Sequence, residues 1–287
     1  MTNTERDFLN PPIKIDINAA QPARMTDYLL GGQANFAVDR DVTEYIVDAL
    51  PGGAEAARAT TRASQAFQSR VARYLVGEAG MRQLLYVGAR LPSGVKVHEL
   101  AQKIAPECRV VYVIDDDVTM AHAHTLVSSS PEGASAYIRA RLHDPEHILE
   151  YAADTLDFGR PVGVMIQGAL HQIPDDDEAH RVVARLMDAV PAGSYLSVSH
   201  LTAELLGNEL AAAIERLQEM IEASKIAALT LRDHAQISQL LDGLELVEPG
   251  VVPIDKWHSD GTAEDASEEP DSLIYGAVAR KPLPPAP

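Results

Sequence analysis

From residue 84 onward the chain alternates short apolar runs with helical segments, an order that few folds accept. Leu84-Leu85-Tyr86-Val87 ends at a glycine, and Val110-Val111-Tyr112-Val113-Ile114 ends at three aspartates. Residues 161–166 and 195–198 are two further runs of the same kind. Apolar runs this short, bounded by turn residues, read as strands buried in a parallel sheet. Helix-forming segments lie between them at 98–104, 118–127, 145–152 and 178–189. Such alternation predicts a doubly wound α/β sheet. A longer helical stretch follows at 203–227, and 237–241, 244–247 and 272–278 are candidate edge strands.

Upstream the pattern is different. Residues 1–20 are polar and punctuated by proline, which predicts a flexible arm. Residues 21–80 carry apolar side chains at helical spacing: Met25, Tyr28, Leu29, Val42, Ile46 and Val47, then Phe67, Val71, Tyr74 and Leu75 beyond a Pro51-Gly52-Gly53 break. They predict an N-terminal helical cap on a Rossmann-like domain at 81–280, with 281–287 as a disordered tail. Lys and Arg total 24 against 42 Asp and Glu, a formal net charge of -18. That field repels phosphate backbones and anionic bilayers, so neither nucleic acid nor membrane is an expected partner. Cys108 is the sole cysteine, which excludes an intrachain disulfide and fits a reducing cytoplasm. Homo-oligomerisation stays open.

In open α/β sheets ligands bind beyond the carboxyl ends of the strands. The loops to read are therefore those after residues 87, 114, 140, 166 and 198. They contain Gly88-Ala89-Arg90, Asp115-Asp116-Asp117, Arg141-Leu142-His143-Asp144, Gln167-Gly168-Ala169-Leu170-His171 and Ser199-His200. His171 and His200 each end a strand, where an imidazole could act as a general base. No metal is expected. His122 and His124 would point to different faces of a helix, and the two Asp triplets lack the spaced ligands of a calcium loop.

Several blocks make a resemblance plain. They are ID-x(6)-AR-x-x-DYLLGG-x-x-NF-x-x-DR (15–40), LP-x(4)-VHE-x-AQ (91–102), RVVYV (109–113), DPE-x-IL (144–149), LH-x-IPDDD (170–177), GSYL-x-x-SH (193–200) and DGLELVEPGVVP (242–253). The chain resembles the S-adenosyl methyltransferase family common in actinomycetes, long catalogued as a domain of unknown function. The resemblance implies a class I Rossmann-like methyltransferase fold, a cap that closes over the pocket with Arg24, Asp27, Tyr28 and Asn35, and S-adenosylmethionine (SAM) in the loops at the strand ends.

The resemblance also marks departures. The family places an acid-x-Gly-x-Gly turn after its first strand, and this chain has Tyr86-Val87-Gly88-Ala89-Arg90. The ribose-binding acid after the second strand is in register with Ile114, and the adenine-binding aspartate after the third with Arg141. Losing one charged acceptor costs about 1.5–3 kcal/mol, so three such losses would weaken SAM by orders of magnitude. The expectation is a degenerate pocket of Tyr86, Gly88, Arg90, Ile114, Asp115, Arg141 and Gln167 that requires no cofactor. On this reading the protein is a SAM-independent enzyme of cyclase or isomerase type, or a binder, acting on a small specialised metabolite. Arg90 and Arg141 favour an anionic one. Two alternatives remain: an active SAM-dependent methyltransferase of a small molecule with atypical contacts, in which Asp115 takes the ribose and Arg90 the SAM carboxylate, or a catalytically dead regulatory partner.

Overall fold

The computed structural model describes residues 16–50, 52–90, 95–126, 129–206, 230–258 and 272–284. The 203–227 stretch therefore falls almost wholly outside the described residues, as do most of the N-terminal arm and the end of the tail.

Three helices precede the sheet: α1 (Pro22–Leu29), α2 (Ala37–Ala49) and α3 (Gly53–Arg73), the last running into a π-turn at Tyr74–Glu78. Then come β1 (Gln83–Val87), α4 (Val97–Ile104), β2 (Arg109–Ile114), α5 (Asp117–Leu126), β3 (Ala134–Arg139), α6 (Pro145–Ala152), β4 (Gly163–Gln167), α7 (Asp176–Asp188) and β5 (Tyr195–Leu201). After the undescribed stretch lie α8 (His234–Gln239), the two-residue strands β6 (Glu245–Leu246) and β7 (Val252–Pro253), and β8 (Ile274–Arg280). The strand order is β3-β2-β1-β4-β5-β8-β6, parallel from β3 to β5, with β8 antiparallel to β5. This is the expected α/β fold. One detail differs: the 237–241 run is not an edge strand, because Asp233 caps α8 through the Gln236 amide (2.7 Å) and Ile237 packs inward as a helical residue.

Alternation along the strands sends side chains to two cores. Leu85, Val87, Val111, Val113, Val164 and Ile166 pack with α6, α7 and α8 on one face. Leu84, Tyr86, Val110, Tyr112, Ile114 and Met165 pack with α3, α4 and α5 on the other. Helix α3 thus belongs to the sheet's own covering layer, with Phe67, Val71 and Leu75 fully buried. Cys108 lies in this second core, and burial pushes its thiol up to about 11, so it is an inert apolar filler. In the tail, Lys281 is held: its ammonium donates to the carbonyls of Met187 (2.8 Å) and Val190 (2.9 Å) at the end of α7. Among the described residues no helix is long and apolar enough to cross a membrane, and no three His, Cys, Asp or Glu side chains gather as a metal site.

Candidate cofactor site and its surroundings

The chain leaves β1 toward β2 on one side and enters β4 on the other, so the strand ends part between β1 and β4. A cleft opens there. Its walls are Gly88, Ala89 and Arg90 after β1, Val113 and Asp115 at the end of β2, Ala140 and Leu142 after β3, Gly168, Ala169 and Gln172 after β4, and Pro22 and Ala23 from α1. Gly88 has φ +89, and a Cβ there would come within 2.4 Å of the Gln167 carbonyl. Only glycine allows that turn to press against β4.

The second strand ends differently from the sequence expectation. Ile114 does not face the cleft; it is buried beside Tyr86, Tyr112 and Met120 in the core under α3 to α5. The next residue, Asp115, projects into the cleft instead. Period-two geometry explains the swap: Val113 and Asp115 share the cleft side while Ile114 alternates away. The enclosing walls raise the carboxyl of Asp115 above the usual range, as does Asp116, while Arg90 and Arg141 oppose the shift. Its side chain is exposed to the cleft even though protein surrounds the cleft.

Arg90 reaches from the β1 loop across to the β4 loop, where Nη2 donates to the Gly168 carbonyl at 2.9 Å. Among the described residues no carboxylate lies within ion-pair distance of it. Burial lowers its pKa, opposed by Tyr86 and Asp115. Arg141 is exposed and outside the cleft lining, so the expected pair of cations in one pocket is not formed; the neighbouring Ala140 and Leu142 line that wall. Tyr86 is likewise not a pocket residue. Its hydroxyl donates to Gln68 Oε1 of α3 at 2.8 Å, and burial raises its pKa. The tyrosine that stands where the family has an acid therefore fastens α3 to the sheet. Gln167 points sideways, its Nε2 donating to Ser197 Oγ at 2.9 Å between β4 and β5.

The cap residues expected to meet substrate are engaged with one another. Arg24 is 2% exposed, sits 3.2 Å from Asp39 and 3.9 Å from Asp116, and donates to the carbonyls of Asp16 and Ala19. Asp116 in turn caps α5 through the Thr119 amide at 2.7 Å. Asp27 accepts from the Ala34 amide (2.7 Å) and Asn35 Nδ2 (2.8 Å). A Cβ on Gly32 would lie 2.1 Å from its carboxylate, which is why a glycine closes this loop. Tyr28 donates to Glu44 at the surface. The long N-terminal motif therefore builds the cap and ties it to the end of β2; what it offers the cleft is Pro22 and Ala23. Neither residue carries a chemical signature visible in sequence, whereas Asp39 stood in the 15–40 motif and Asp116 in the Asp115-Asp116-Asp117 loop as acids.

The two histidines lie side by side, rings edge-to-face at 5.9 Å, and both are buried. His200 Nε2 is 2.9 Å from Arg232 Nη1, and Nδ1 is 2.8 Å from the Leu201 carbonyl. Guanidinium only donates and a carbonyl only accepts, so His200 is the neutral Nδ1–H tautomer with no lone pair to spare. Burial brings its pKa down to about 4. Arg232 also donates to Asp176 (2.8 Å) and to the carbonyls of Leu170 (3.1 Å) and Ile173 (2.8 Å). His171 has a buried Nδ1 without a hydrogen-bond partner among the described residues, and burial, His200 and Arg90 all depress its pKa.

A 3-2-1-4-5 sheet extended by an antiparallel strand, with a ligand cleft at the β1/β4 parting, is the architecture of a class I methyltransferase. The chain belongs to the S-adenosyl methyltransferase family, whose model matches residues 9–282. A DUF574 family protein from Streptomyces avermitilis is 36% identical, with 94% of this chain and 100% of that one covered and a TM-score of 0.83. A Thermobifida fusca protein named only provisionally as a methyltransferase is 32% identical, with 95% and 99% covered and a TM-score of 0.82. No functionally curated protein matches the chain. Family membership over nearly the whole chain overturns the expectation that no cofactor is required: SAM is the group that defines this family. The physical premise of that expectation also fails at one point, since a carboxylate is present at the end of β2, one residue later than the aligned register.

Proposed function

We propose that this protein is a SAM-dependent methyltransferase acting on a small organic molecule, with its cofactor contacts rearranged around Asp115. The observation that carries the reading is that β2 delivers Asp115, and not Ile114, to the cleft. A carboxylate at that position can accept both ribose hydroxyls. Val113, Ala140 and Leu142 offer an apolar slot for a planar base, and the Gly88-Ala89 turn leaves its backbone open to close approach. When bound, the cofactor supplies an electrophilic methyl group.

The protein's own residues then orient and enclose. Pro22 and Ala23 close the cleft from the cap and exclude water, which strengthens charge interactions inside. Neither histidine lines the cleft: His171 is buried, with an Nδ1 that has no hydrogen-bond partner among the described residues, and His200 is a support for Arg232.

Isothermal titration with SAM tests the reading. The wild type should bind, and Asp115→Ala should bind about 10- to 100-fold more weakly, the effect of one charged acceptor. Absence of binding to the wild type, or equal affinity in both proteins, overturns it.

A further inference from the structure

Two walls of the cleft are each followed, one residue along the chain, by a member of the same buried ion pair. Ala23 of α1 and Asp115 at the end of β2 line the cleft, while the next residues, Arg24 and Asp116, stand outside its lining. Behind the walls Arg24 Nε lies 3.9 Å from Asp116 Oδ1 and 3.2 Å from Asp39. The other oxygen of Asp116 accepts from the Thr119 amide (2.7 Å) and hydroxyl (2.8 Å), which starts α5 directly after Asp115. One carboxylate thus joins the β2 turn both to its own helix and to the cap. Asp39 is divided in a similar manner, accepting from the amides of Gln21 (2.9 Å) and Phe36 (2.8 Å). Gln21 precedes Pro22, so Asp39 and Arg24 hold the Pro22-Ala23 wall from both sides. The Arg24 guanidinium also lies 5.1 Å over the Phe36 ring. All three charged side chains are buried, where ion pairs are weakly screened.

We infer that Arg24 is a positioning residue for the Asp115 carboxylate: through Asp116 it fixes the turn that aims Asp115 into the cleft, and it ties that turn to the Pro22-Ala23 wall. What this does for the cofactor rests on the methyltransferase reading, in which Asp115 takes the ribose. Arg24 does not line the cleft, so its effect on a ligand passes through Asp115. A carboxylate that accepts two hydroxyls at once must be held to within about 0.5 Å, which calls for support behind the residue that makes the contact. Thr119 braces the turn along α5, and Arg24 braces it across from the cap. By linkage, a ligand held on Asp115 steadies the cap to the same extent.

The test is a double-mutant cycle read by isothermal titration with SAM, on the wild type, Arg24→Lys, Asp115→Ala and the protein carrying both changes. Lysine keeps the charge but loses the planar fork that spans the cap and the β2 turn. Arg24→Lys should weaken SAM about tenfold when Asp115 is present, and by less than about twofold when it is alanine. An arginine that only supports the fold would not tell these backgrounds apart. Equal losses in both, or no loss in either, overturn the inference while leaving the methyltransferase reading intact. Asp116→Asn keeps the helix cap and removes the charge that faces Arg24. It should give the same Asp115-dependent loss, and it replaces Arg24→Lys in the cycle if that protein does not fold. If the wild type does not bind SAM, the methyltransferase reading fails, and the positioning of Asp115 is decided on the free protein by amide hydrogen exchange. Arg24→Lys should then speed exchange at residues 113–120 about tenfold relative to β4 and β5. Unchanged relative rates would overturn it.

Discussion

Arg232 and Arg90 lie in neighbouring loops at the same end of the sheet, yet they are built into the protein in opposite ways. Arg232 is 1% exposed and spends its guanidinium on Asp176, His200 and the carbonyls of Leu170 and Ile173. It holds the loops after β4 and β5 to the segment that leads into α8. Arg90 is half-buried and, among the described residues, makes one hydrogen bond, to Gly168. Arg232, with four of its five N–H donors matched, is a structural tie, whereas Arg90, with one bond among the described residues, stands in a cleft wall. The same contrast separates the cap, where Arg24, Asp27, Asn35 and Asp39 satisfy one another, from Asp115, which faces open space.

The largest effect should come from cutting the tie. Arg232→Ala strands the Leu170 and Ile173 carbonyls and the His200 lone pair, and should cost roughly 3–5 kcal/mol in urea unfolding. Arg90→Ala should change stability by less than about 1 kcal/mol. Equal losses would erase the distinction.

Next in size is the pH response of the same tie. His200 has a folded-state pKa near 4, below the usual histidine value. The unfolded chain therefore binds the extra proton between about pH 6.5 and 4, and stability rises with pH across that window. The contribution is fully present above about pH 6.5 and is lost as pH falls through 4, a change of about 3 kcal/mol at 1.36 kcal/mol per unit. His171 acts in the same direction. Chemical denaturation at several pH values should show this slope in the wild type and a shallower one in His200→Leu. An unchanged slope would mean the ring is already charged.

The smallest effect concerns the bond between β1 and α3. Tyr86→Phe leaves Gln68 Oε1 buried without its donor, and should cost about 1–3 kcal/mol of stability. SAM affinity should not move, because the hydroxyl faces α3 rather than the cleft. A loss of affinity would return Tyr86 to the binding site.

Sheet, helices and cap were readable because each rests on a repeated signal. Apolar runs such as Leu84 to Val87 and Val110 to Ile114 alternate with amphipathic segments, and α6 falls where 145–152 was expected. The site was less readable because its meaning depends on where a strand ends. Aligned position by position, Ile114 occupies the place of the ribose acid; the pleat turns it into the core and gives the wall to Asp115. Tyr86 looked like a damaged binding residue, but its partner Gln68 lies 18 positions upstream and no local pattern joins them. Arg141 looked like a pocket cation and is exposed beyond it, since its neighbours Ala140 and Leu142 turn inward. Arg232 carried no signal, because its four partners lie in the β4–α7 connection and the end of β5, far upstream in sequence.

The measurement that bears hardest on this account is a crystal structure of the wild type grown with S-adenosylhomocysteine. It should place the nucleoside in the β1/β4 cleft, with both ribose hydroxyls on the carboxylate of Asp115 and the base against Ala140 and Leu142. A nucleoside seated elsewhere, or in the cleft with its sugar away from Asp115, would contradict it.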